Sequence, residues 1–101
     1  MKRLPTKFIF QPYKNSVDEN TGVSHFSPGK NYIILKFQRP TNGDKQIYLY
    51  NYENPGKEHV ENMKKFAAEG KGLSGYVNQL VRENYYAFWN KSTQQWELNK
   101  A

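Results

Sequence analysis

The chain predicts an α+β fold, a small antiparallel sheet covered on one face by two helices. Three observations lead there. Two runs, 31–39 and 46–52, alternate in polarity about a turn. The stretches that follow, about 55–69 and 74–86, repeat apolar residues every three or four positions. Aromatic residues make up 16% of the chain, enough large rings to build a core although mean hydropathy is −0.97. A length of 101 residues suits a single domain, 1–101, that buries roughly two thirds of its unfolded surface. Cysteine is absent, so disulfides and thiolate metal sites are excluded and the fold must rest on its core.

Lys7 to Phe10 suggests a short first strand bounded by Pro5 and Pro12, neither of which can donate to a central ladder. Residues 13–30 show no period and are rich in turn formers such as Asn15, Asp18, Asn20, Gly22 and Pro28. They are expected to be a long loop, serving as a binding element or concealing a short hairpin. In 31–39, Ile33, Leu35 and Phe37 alternate with Tyr32, Ile34, Lys36 and Gln38. Residues 40–45 contain Asn42-Gly43 and turn the chain. The partner strand, 46–52, places Tyr48, Tyr50 and Tyr52 on one face and Ile47 and Leu49 on the other. Keeping apolar residues together sets Ile47 and Leu49 beside Ile33, Leu35 and Phe37. The opposite face then carries the tyrosines with Lys36 and Gln38.

Asn54-Pro55 reads as an N-cap followed by proline at the first helical position, with Glu58 in the first turn. Val60, Met63, Phe66 and Ala67 form the buried stripe, and Gly70 ends the helix. Ser74 is the expected cap of the second helix, whose stripe is Val77, Leu80, Val81 and Tyr85. In the tail, 86–101, either the helix runs on to Trp89 or residues 86–89 and 94–98 make a hairpin about Asn90-Lys91-Ser92-Thr93. Aromatic enrichment and the turn cluster favour the hairpin.

Fifteen Lys and Arg against nine Asp and Glu give a net charge of +6. Residues 1–52 hold eight basic and three acidic side chains, whereas the rest hold seven and six, so the strand-rich half is the basic half. A localised positive field attracts polyanions, because neutralising phosphates releases condensed counterions. Net charge also simply keeps a small protein soluble. The opening MKRLPTKFIF lacks a small-residue cleavage site and does not read as a signal peptide, and no run has transmembrane length. A cytoplasmic protein with no membrane partner is expected.

The order of motifs Tyr48-Leu49-Tyr50, Asn54-Pro55, Ala67-Ala68-Glu69-Gly70, Gly75-Tyr76-Val77-Asn78 and Val81-Arg82-Glu83-Asn84-Tyr85 resembles the KTSC domain. This small family takes its name from the C-terminal region of some lysyl-tRNA synthetases and also stands alone in bacterial and phage proteins. The resemblance spans about residues 31–85. It implies a strand hairpin under two helices, a proposed role in RNA binding, and no reaction. The family's Ser-containing first strand is not recognisable here, and the aromatic tail after Tyr85 is extra.

Tyrosines alternating with cations on an open sheet bind single strands, since each stacked base contributes roughly 1 to 3 kcal/mol. Tyr48, Tyr50 and Tyr52 would be that platform, with Lys36, Arg39 and Lys45 tracking phosphates. Alternatively the same rings pack beneath the helices. The two uses exclude each other. Lys71, in the glycine-rich turn 70–75, and Arg82 are further phosphate-binding candidates, although the turn lacks the spacing of a Walker loop. His25 and His59 have neither cysteine nor a spaced acid cluster beside them, so no metal, cofactor or catalytic constellation is expected. The favoured reading is a non-enzymatic module that binds RNA or single-stranded DNA. The second is a small phage or mobile-element protein that docks on a protein partner through the loop, the strand edge or Trp89 and Trp96.

Overall fold

The computed structural model describes residues 4–14, 22–41 and 45–99. Six antiparallel strands form one sheet in sequence order: β1 (Gln11–Pro12), β2 (Val23–Pro28), β3 (Tyr32–Thr41), β4 (Lys45–Asn51), β5 (Ala87–Asn90) and β6 (Gln95–Leu98). Between β4 and β5 the chain leaves the sheet to make α1 (Lys57–Glu69) and α2 (Leu73–Tyr76), the latter running on as a π-helical segment, Val77–Val81. The α+β architecture, with its small antiparallel sheet under two helices, is the one the sequence predicts. The Asn42-Gly43 turn and residues 15–21 of the expected loop lie outside the described residues.

The register differs from the expected one by a single residue. Ile33 pairs with Tyr50 and Leu35 with Tyr48, so the tyrosines share a face with Ile33, Leu35 and Phe37. Leu49 instead pairs with Ile34, and Ile47 with Lys36, on the other face. Because side chains alternate with period two, this shift moves Tyr48 and Tyr50 from solvent to core, with Tyr52 partly buried at its margin. The phenol rings supply more apolar area than the aliphatic chains they displace, and that area is what a small core lacks.

Val60, Met63 and Ala67 of α1 and Leu73, Val77 and Val81 of the second helix cover this first face, together with Tyr13 and Tyr85. Burying each large side chain contributes about 1.5–3 kcal/mol. Gly70 ends α1 in the left-handed region at φ 77°, its N–H donating to the carbonyls of Phe66 and Ala67. The starts of both helices depart from expectation. The residue before α1 is Gly56, and the side chain of Asn54 donates instead to the Tyr85 carbonyl at 3.0 Å. The residue before α2 is Gly72, at φ 86°. Ser74 is buried, and its hydroxyl accepts from the Val23 N–H across 3.0 Å, fastening α2 to β2. The wider π turn keeps Leu73, Val77 and Val81 inward at spacing four and rotates Leu80 out, where it is 56% exposed. Helical structure stops at Val81 rather than 86: the Asn84 N–H bonds back to Val81, and the Tyr86 N–H donates to Leu49, leading into β5.

Two other expectations are corrected. The region 13–30 is not one loop, because β2 occupies Val23–Pro28 and pairs with β3. A register shift between Val23 and His25 breaks the alternation, leaving Val23 and Phe26 three apart yet both in the core. Lys7 to Phe10 is not a strand either; the ladder with β2 begins at Gln11 and Pro12. Proline is tolerated there because β1 is an edge. Residues 4–10 instead form a strap without regular secondary structure, bent at Thr6, across the second face, against Trp89 and Trp96 of the β5–β6 hairpin.

Candidate nucleic-acid interface

The eight residues that the sequence nominates fall into separate places. Tyr48 is 4% exposed and Tyr50 fully buried, so neither offers a stacking surface. The Tyr50 hydroxyl donates to the Arg82 carbonyl at 3.4 Å, and burial first, then the neighbouring Tyr48, pushes its phenol well above the ordinary tyrosine range. Half-exposed Tyr52 donates to the Glu61 carboxylate at 2.7 Å; that bond raises the phenol and, aided by Lys64, lowers Glu61. Lys36 lies on the second face, opposite Ile47. Lys71 is exposed in the turn between the helices, where three backbone amides already have acceptors. Gly70 and Lys71 N–H groups donate to α1 carbonyls, and the Leu73 N–H donates to the Tyr13 hydroxyl.

Packing sets Lys45 and Arg82 at the two ends of one row of rings. A row of rings runs Phe37, Tyr48, Tyr85, Phe88, with successive centroids 5.6, 4.7 and 6.4 Å apart. Arg82 lies over one end, its guanidinium 5.6 Å from the Phe37 centroid and its Nη1 donating to Asn78 at 2.6 Å. Lys45 lies over the other end, with Nζ 4.3 Å from the Phe88 centroid. Each cation is therefore drawn to a ring face and its apolar stem is packed. Arg39, near the end of β3, is exposed.

A third cation joins them that the sequence does not mark. The Gln46 amide donates to the Phe37 carbonyl at 2.7 Å and accepts from Lys91 Nζ at 2.5 Å. Lys91 sits in the β5–β6 turn, so its arrival beside β4 depends on the β4–β5 pairing of Tyr48 with Phe88. That pairing spans forty residues of sequence and leaves no local trace. Two acids accompany these cations: Glu83 is exposed and follows Arg82 in the chain, and Glu97, opposite Phe88 in the register, accepts from the Asn90 side chain.

Among the described residues no group of three His, Asp or Glu side chains is placed to hold a metal ion. His59 is engaged with α2, its Nδ1 2.6 Å from the Tyr76 hydroxyl. No helix among the described residues is long and apolar enough to cross a membrane. The chain thus defines a class by architecture, a six-stranded meander interrupted once by a helical pair. Compared with known proteins, it matches no family model, no curated protein and no solved structure.

Proposed function

We propose that the chain is a non-enzymatic cytoplasmic module that binds the phosphate backbone of RNA or single-stranded DNA along the ring row that Lys45 and Arg82 flank, with Lys91 beside β4. The observation that carries this reading is the pair of cations held over the two ends of one ring row, Lys45 on Phe88 and Arg82 on Phe37. Cations positioned by packing lose less side-chain entropy on binding than free lysines do. Arg39 extends the charged surface along β3. The resemblance to the KTSC family points toward RNA as well.

Stacking plays a small part in this proposal. Phe37, Tyr48 and Tyr85 are buried, and Phe88 is only partly open with Lys45 over its face. Binding then comes mainly from phosphate contacts and tolerates sequence changes in the ligand. Three phosphate contacts give a slope of log K against log salt of about −2 for a single strand. Anisotropy of a labelled 12-nucleotide RNA, titrated between about 50 and 200 mM salt, measures it. K45Q/R82Q should weaken binding at least tenfold at low salt and remove roughly two thirds of that slope. Unchanged affinity and slope in a folded K45Q/R82Q protein would sink the proposal.

A further inference from the structure

The second sheet face carries Trp89 and Trp96, directly paired across the β5–β6 hairpin with ring centroids 5.1 Å apart. The strap, residues 4–10, lies against them. Phe8 meets both indoles at 5.6 Å, edge-on to Trp89 and tilted over Trp96. The Trp96 Nε1–H donates to the Pro5 carbonyl at 2.6 Å. Two residues after Phe8, Phe10 stands edge-on to His25 at 6.3 Å, while the intervening Ile9 points outward and is 86% exposed. From Phe8 to Phe10, beyond a bend at Thr6, the strap therefore reads the sheet with alternate side chains, as an extended ligand would.

Its attachment differs from that of every strand. Among the described residues, no backbone-to-backbone hydrogen bond joins residues 4–10 to the sheet; backbone pairing begins at Gln11 to Tyr13. Two cavities open along it. One of about 280 Å3 separates Leu4 and Pro5 from Leu49 and Asn51, and a more open one of about 740 Å3 lies between Lys7, Phe8 and Ile9 and the Ser27–Pro28 end of β2. Tyr32 lines both. Its ring rests on Gly29, where a Cβ would come within 2.1 Å of it.

We infer that this face is a binding groove for an extended peptide of the pattern Pro-x-x-aromatic-x-aromatic, which the strap occupies in cis. The strap itself states the chemistry of the partner. An indole N–H donating to the carbonyl of a proline residue, beside an aromatic slot, is how aromatic grooves take proline-bearing extended chains, whose stiffness reduces the entropy lost on binding. A tethered segment competes at an effective concentration on the order of millimolar, so the resident strap masks the groove until a partner displaces it. Lys45, Arg82 and Lys91 are not part of this groove, and the inference stands whether or not they bind nucleic acid.

The test uses the full chain and a fluorescein-labelled peptide carrying its residues 4–11. The wild type should bind that peptide weakly, and F8A, which loosens the strap, at least tenfold more tightly. F8L, which keeps apolar volume, should fall between them. Adding W96F to F8A removes the indole donor and should weaken binding severalfold, and a peptide in which Phe8 is replaced by alanine should bind at least tenfold less tightly than the parent. Equal affinity for wild type, F8L and F8A, or indifference to the peptide's aromatic residue, would overturn the inference. Self-association of F8A without uptake of the peptide would also overturn it, showing an interface between copies of this chain.

Discussion

The two faces of the sheet are closed in opposite ways. On the first, helices joined to the strands on either side press Val60, Met63, Val77 and Val81 onto Tyr48, Tyr50, Ile33 and Leu35, all of them buried. On the second, a strap without ladder bonds crosses Trp89 and Trp96, leaves two cavities along its length and exposes Ile9. Both faces are built from the same alternating strands. What separates them is how many independent attachments the cover has, and that decides which face can exchange its cover for a ligand.

The largest effect expected from this contrast is in stability. Tyr50→Ala removes a fully buried ring and should cost about 3–5 kcal/mol in urea unfolding, close to the whole stability of a small domain. Phe8→Ala, on the strap, should cost about 1–2 kcal/mol, since its site can relax toward solvent. Similar losses at both positions would erase the distinction between the faces.

A smaller effect sharpens it. The Tyr50 phenol is raised by burial, so the folded protein favours the protonated ring. That contribution is fully present below the ordinary tyrosine pKa of about 10 and is lost as pH climbs above it. Tyr50→Phe should change stability by less than about 1 kcal/mol at neutral pH, because the hydroxyl's one bond to Arg82 is long, but should flatten the fall in stability above about pH 10. An unchanged alkaline fall would place the titrating group elsewhere.

The parts of the fold legible in the sequence were those with a local period. The β3–β4 hairpin, the α1 stripe and the Gly70 stop all follow from residues within a few positions of one another. Register was misjudged because tyrosine carries both a large ring and a polar tip, and the ring decided its place. Strand β2 was hidden by the irregularity at Ser24, which breaks a period of two. Of the candidate interface, Lys45 and Arg82 could be named, but not the ring row that orients them, nor Lys91, since both depend on β4 meeting β5 across the helices. Of the two uses open to Tyr48 and Tyr50, a stacking platform or packing beneath the helices, the structure has the second.

The contrast between the faces rests most directly on how often each cover opens. Hydrogen exchange followed by NMR compares the Trp96 indole N–H, closed only by the Pro5 carbonyl, with backbone amides in the central strands β3 and β4. The indole proton should exchange faster by a factor on the order of a thousand or more, because the strap lifts without unfolding the sheet. Exchange of both at the rate of global unfolding would contradict the account, since the strap would then be as integral to the core as the helices.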